Sequence, residues 1–108
     1  MISAFLEALC CGDEVRLSQC FSEDGKLFDY CPCVNGEEAN IVYGRSGIEL
    51  FYRSIFAVKK LTAAEPDIDG QETGTFFGSY NGPYIYCRAT ITECSEDGKI
   101  RRAVIVPA

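Results

Sequence analysis

Residues Phe21–Tyr30 read FSEDGKLFDY, and the rest of the chain can be placed around them. The stretch reads as the end of a helix, a turn at Asp24-Gly25, and a first strand from about Lys26 to Cys31. With the strand period of two, Leu27, Asp29 and Cys31 share one face and Phe28 and Tyr30 the other. Asp29 therefore stands among apolar neighbours near the start of a sheet. It is either a solvated edge residue or a polar group set into a pocket, and the functional reading turns on which.

Working outward, Ile2, Phe5, Leu6, Leu9 and Cys10 form one helical face, which Gly12 ends. Asp13 can cap a second helix with a stripe of Val15, Cys20 and Phe21 that ends near Ser22. Pro32 to Asn40 reads as a loop and Ile41–Tyr43 as a short strand. Ser46-Gly-Ile-Glu49 is a capping-box pattern ahead of Ile48, Phe51, Tyr52, Ile55 and Phe56, so a third helix follows. From Leu61 the pattern turns to strand. Pro66 marks an edge or bulge, Asn81-Gly82 a hairpin, and Glu96-Asp97-Gly98 the turn into a last strand, Lys99 to Val106. Gly74, Phe76, Gly78 and Tyr80 share a face, as do Ile85, Cys87, Ala89 and Ile91. Glycines 70, 74, 78 and 82 would permit strong bending. The expectation is a single α+β domain over residues 1–108, with three helices in its first half packed on a strongly curved, mostly antiparallel sheet. A pocket between sheet and helices is where a small ligand would bind.

Composition narrows the partners. A net charge of −6 with no Lys/Arg cluster argues against nucleic acid and anionic membrane surfaces. No window approaches the ~20 apolar residues of a membrane span, and the N-terminus lacks the positive region of a signal peptide, so a cytoplasmic location is expected. Seven cysteines without a secretion signal read as free thiols, mostly small apolar fillers. A zinc site built from Cys31, Cys33 and another thiol stays open on spacing alone, although no metal or other cofactor is expected.

The order of elements resembles the nuclear transport factor 2-like superfamily, in particular its SnoaL-like and ketosteroid isomerase-like branch. The resemblance rests on Cys11-Gly12-Asp13, on Phe21-Ser-Glu-Asp24 with Phe28-Asp29 following, and on Tyr43-Gly44-Arg45-Ser46-Gly47-Ile48 with Phe51-Tyr52. It implies a cone-shaped barrel, a pocket at its open end and frequent homodimers through the sheet face. In the isomerase branch the first strand carries an aspartate as general base, and Asp29 falls on that position. The branch also uses a first-helix tyrosine and a protonated aspartic acid on a late strand to hold the enolate. Here those positions are Phe5 and, within a residue or two, Thr90. The base position is kept and the two usual acids are absent. Dehydratase members rely on a histidine, which this chain lacks.

Three readings follow. The first is a dimeric domain that binds a small apolar ligand, with Phe5, Tyr30, Tyr43, Tyr52, Tyr86, Arg88 and Thr90 as contact residues. The second is an isomerase or cyclase acting on a carbonyl compound, with Asp29 as base and a tyrosine supplying the missing donor. The third is an assembly domain with a filled interior that associates through Ile85, Cys87, Ala89, Ile91 and Ile105.

Overall fold

A computed structural model describes residues 1–108. Helices α1 (Ile2–Cys11) and α2 (Glu14–Gln19) lead into β1 (Phe21–Asp29), a short 3-10 turn (Cys31–Asn35) and β2 (Asn40–Tyr43). Helix α3 (Arg45–Ala57) follows, and then β3 (Thr62–Ile68), β4 (Thr73–Ser79), β5 (Tyr84–Cys94) and β6 (Ile100–Pro107). The six strands form one sheet in the order β2-β1-β6-β5-β4-β3. All neighbours are antiparallel except β1 and β6. The sheet is curved but open, with β2 and β3 as free edges, so it cups the helices without closing into a barrel.

The inner face holds the core. Ile2, Phe5, Leu6 and Leu9 of α1 and Ile48 and Tyr52 of α3 pack with Leu27, Phe76, Cys87, Ala89, Ile91 and Ile105 of the sheet, all essentially buried. Gly74 lets α1 come this close: a Cβ there would lie 2.5 Å from Leu6 Cδ1 and 2.9 Å from the Asp67 carbonyl oxygen. Irregularities in register between Ala64 and Asp67 on β3, and between Ile91 and Cys94 on β5, accompany the curvature. Pro66 lies on edge strand β3, where its missing N–H breaks no interior ladder.

Three local expectations are corrected. The Asp24-Gly25 pair is not a turn after a helix: α2 ends at Gln19, and β1 begins at Phe21 and carries the pair as an irregularity between Phe21 and Lys26. Glycine is required there by close approach, since a Cβ on Gly25 would sit 2.9 Å from both the Ile100 carbonyl oxygen and Phe21 Cβ. In α2, Val15 is exposed and Leu17 fills the core instead. The capping box at Ser46 is not used. Helix α3 starts at Arg45 behind Gly44, whose φ of 84° favours glycine. Arg45 Nε donates to the Phe21 carbonyl at 2.8 Å, and Glu49 pairs with Arg53 one turn on. The helix thus begins two residues earlier than a Ser46 cap would place it, where Arg45 bonds to β1.

Candidate functional site

Asp29 is the last residue of β1, and its side chain is fully buried. The strand alternation that groups it with Leu27 and Cys31 holds, and all three face inward. Both carboxylate oxygens are engaged. Oδ1 accepts the Cys31 backbone N–H at 3.0 Å, an Asx-type bond that turns the chain into the 3-10 segment. Oδ2 accepts the Tyr80 hydroxyl at 2.5 Å, the length of a charge-assisted O–H···O bond. Burial disfavours the ionised form and outweighs these two donors, so the Asp29 carboxyl is pushed up to about 6.

Tyr80 reaches Asp29 because the Asn81-Gly82 hairpin sets the register of β4, which turns Gly74, Phe76, Gly78 and Tyr80 inward. Gly78 makes the space for it: a Cβ there would lie 2.9 Å from Tyr80 Cε1 and 3.3 Å from Cys87 Sγ. The phenol is held protonated, since burial and the Asp29 charge both raise it well above its ordinary value.

Tyr52, from the middle of α3, completes the cluster. Its ring packs between Phe51 and Phe56, with centroids 5.2 and 5.5 Å away. Its hydroxyl is buried and has no hydrogen-bond partner, which makes it the one buried side-chain N or O atom in the protein left unsatisfied. Burial, and then the charge of Asp29, raise its pKa. The thiols of Cys31 and Cys87, 3.2 Å apart, lie next to the Asp29–Tyr80 pair.

Above this cluster lies a cavity of about 140 Å³ bounded by Pro32, Phe51, Ile55, Leu61 and Tyr80, with the more polar Glu37, Asn40 and Lys60 also on its wall. Of its lining residues, Tyr80 alone also bonds Asp29, so it separates the cavity from the carboxylate. Larger surface depressions do not gather comparable groups. In the one near Met1, Arg16 is bonded to Glu7 and Lys99 to the Gln19 carbonyl.

The other contact residues expected from sequence are dispersed. Phe5 is core, edge-on to Phe21 at 6.0 Å, and carries no donor. Tyr30 and Tyr43 are exposed, and Tyr43 stacks edge-on with Phe28. Tyr86, Arg88 and Thr90 lie on the outer face of β5, where Tyr86 contacts Phe77 and Arg88 reaches Asp69 at 3.6 Å. Tyr52 is thus the one expected contact residue brought near Asp29. Tyr80 was missed, although the face it shares with Gly74, Phe76 and Gly78 was legible beside the hairpin signal. The assembly face drawn through Ile85, Cys87, Ala89, Ile91 and Ile105 is corrected, since these residues are the core side of the sheet and the helices cover them. No cluster of three potential metal ligands forms, and Cys33 points away into solvent while Cys31 is buried.

No family model matches the sequence, and no curated protein matches it either. Solved structures do. A protein with a ketosteroid isomerase-like fold from Catenulispora acidiphila, in complex with trimethylamine, is 14% identical and superimposes with a TM-score of 0.66 over 99% of this chain and 84% of its own. An NTF-2 like protein of unknown function from Burkholderia xenovorans is 18% identical, with a TM-score of 0.63 over 99% of this chain and 79% of its own. A SnoaL-like protein of unknown function from Burkholderia thailandensis is 11% identical, with a TM-score of 0.58 over 98% and 89%. At such identities the fold is what is shared. The chain has the curved-sheet α+β fold of the nuclear transport factor 2-like proteins, as its resemblance implied. A fold of this breadth does not specify the chemistry. No helix is long and apolar enough to cross a membrane.

Proposed function

We propose that this domain binds a small, largely apolar molecule bearing one oxygen acceptor, in the cavity between α3, the 3-10 turn and the end of β4. The observation that carries the proposal is the unpartnered Tyr52 hydroxyl, buried within reach of the Asp29 charge. Tyr52 lies behind the cavity wall, so a ligand oxygen reaches its hydroxyl once the Tyr80 ring on that wall moves aside. A buried hydroxyl without a partner costs about 1–3 kcal/mol, and phenylalanine would fill the same space without that cost. A ligand oxygen that accepts from Tyr52 explains why the hydroxyl is present. The cavity volume of about 140 Å³ is below the usual range for drug-sized ligands, so the molecule is one of few heavy atoms. That the similar Catenulispora protein holds trimethylamine supports the view that this fold accommodates ligands of that size.

A thermal-shift screen of small ketones, aldehydes, esters and amides tests this. Tyr52→Phe should stabilise the free protein by about 1–3 kcal/mol and abolish most of the shift that a binding compound gives the wild type. A set of compounds that shifts neither protein, or shifts both equally, would sink the reading.

The isomerase or cyclase reading is favoured by one specific observation, the position of the Asp29 carboxyl at about 6, near the range of a working general base. In that reading the substrate displaces the Tyr80 hydroxyl from Oδ2, and the freed Tyr80 and Tyr52 hydroxyls face the developing enolate. Compounds that bind are therefore the ones to assay for proton exchange at the carbon next to the carbonyl.

Self-association belongs to the outer face of the sheet, where Phe77, Tyr84, Tyr86 and Val106 are exposed together on adjoining strands. We propose that two copies meet there. Sedimentation velocity at tens of micromolar should return a dimer for the wild type and a monomer for Tyr86→Glu. A monomeric wild type at that concentration would reject the dimer.

A further inference from the structure

Cys31 and Cys87 are 56 positions apart in sequence, yet their sulfurs are 3.2 Å apart in the core. Both residues are fully buried, and both are free thiols. Their meeting is built by the fold. The bond from the Cys31 N–H to Asp29 bends the chain inward at the end of β1, and the alternation of β5 turns Cys87 in. Gly78 on β4, paired with Ile85 two residues before Cys87, leaves the room that the Cys87 sulfur occupies. Two cysteines used only as apolar filler need not point their sulfurs at each other. Closing the gap to the ~2 Å of a disulfide asks for ~1 Å of movement.

We propose that Cys31 and Cys87 are a dithiol site that a small hydroperoxide oxidises to a disulfide within the folded protein.

The pair is polarised for this. The Cys31 S–H donates to Cys87, which holds the Cys87 thiol below its ordinary value, while the Cys31 thiol is raised by that same bond and by burial. Cys87 is therefore the attacking sulfur. In the first step its sulfur takes one oxygen from the peroxide: the O–O bond breaks, a sulfenic acid forms on Cys87, and water (or the alcohol of an organic hydroperoxide) leaves. In the second step the Cys31 sulfur attacks Cys87. The S–O bond breaks, the S–S bond forms, and the Cys31 proton leaves with the hydroxyl as a second water. Two electrons pass from the two thiols to the peroxide, and no other reactant is required. Hydrogen peroxide is close to water in size, which suits a buried pair that larger disulfide reagents would not reach. The bond formed would tie the 3-10 turn to β5 next to Asp29.

The test is peptide mapping. Reduced full-length protein is treated with a small excess of hydrogen peroxide under native conditions, unfolded in N-ethylmaleimide, and digested. The expected product is a cross-linked pair of peptides containing Cys31 and Cys87, lighter by two hydrogens than the two thiol peptides. In Cys31→Ser the reaction should stop at the sulfenic acid, so that Cys87 is labelled when the treated protein is unfolded in dimedone. The proposal is overturned if Cys31 and Cys87 are both recovered as maleimide adducts while the exposed Cys11, Cys33 or Cys94 have oxidised. A cross-link from Cys31 to any other cysteine overturns it equally. The wild-type map decides the matter even if the serine variant does not fold.

Discussion

Between about pH 4 and about pH 7 the folded protein should lose about 3 kcal/mol of stability that the Asp29→Asn variant does not lose. Folding raises the Asp29 carboxyl from 3.8 to about 6, chiefly by burial. The native state therefore binds the proton more tightly than the unfolded chain does. The stabilisation is fully present below the unfolded value, fades as the pH rises through the interval up to about 6, and is gone above it. Each tenfold gain in proton affinity is worth about 1.4 kcal/mol, which sets the magnitude and corresponds to roughly ten degrees or more in Tm for a domain of this size. Other carboxyls act in a different window. Asp24 is held below its usual value by Ser22 and Arg101, and Asp97 by Ser95, so their contributions are lost only as the pH falls below about 4. Thermal melts of both proteins across the interval check this. Wild-type and variant curves that run parallel would show that Asp29 does not change its protonation there.

Tyr80→Phe should be costly at neutral pH and much less so in acid. The substitution keeps the ring against Gly78 and the cavity wall but removes the hydroxyl that donates to Oδ2 at 2.5 Å. Above the Asp29 pKa this leaves one oxygen of a buried carboxylate unpaired, at a cost of about 2–3 kcal/mol. Once Asp29 is protonated only an ordinary hydrogen bond is missing, worth about 1 kcal/mol. Losing a donor to the ionised form also raises the Asp29 carboxyl further, so the acid-stabilised window should extend to higher pH. Denaturant titrations at about pH 4.5 and about pH 7.5 measure both effects. An equal loss at the two pH values would assign Tyr80 a packing role alone.

The cluster accounts for the opposing demands on this interior. Asp29 has a local structural duty, since its Oδ1 accepts the Cys31 N–H that starts the 3-10 turn. That bond needs an acceptor but not full burial. The Tyr80 contact and the solitary Tyr52 hydroxyl go beyond what the turn requires. Polar groups held in an apolar interior at a cost in stability are the usual mark of a binding or reacting site. The two free thiols of Cys31 and Cys87 stand next to them, 3.2 Å apart.

Most of the elements were legible because they rest on local rules. The α1 stripe, the α3 stripe, the Asn81-Gly82 hairpin and the shared face of Gly74, Phe76, Gly78 and Tyr80 each follow from periodicity or turn chemistry within a dozen residues. The misreadings occur where a distant contact overrides a local signal. Gly25 reads as a turn residue, but Ile100 on a neighbouring strand makes it part of β1. Ser46 reads as a cap, but the bond from Arg45 to Phe21 starts α3 earlier. Strand alternation separates Ile85, Cys87, Ala89 and Ile91 from Tyr84, Tyr86, Arg88 and Thr90. It does not say which set the helices will cover, because both contain groups that can pack.

By itself the sequence determined an α+β fold, the order of its elements, and that Asp29 shares a strand face with Leu27 and Cys31. These depend on the period of side-chain direction and on glycine, proline and Asx chemistry, which neighbouring residues settle among themselves. Only the tertiary structure decided what surrounds that acid. Tyr80 lies 51 positions from Asp29, and Cys87 lies 56 from Cys31. Such meetings are set by strand order and register across the sheet, through β6 standing between β1 and β5, and no local pattern encodes them. The burial that raises Asp29 and the isolation of the Tyr52 hydroxyl likewise exist only once α3 has closed over the curved sheet.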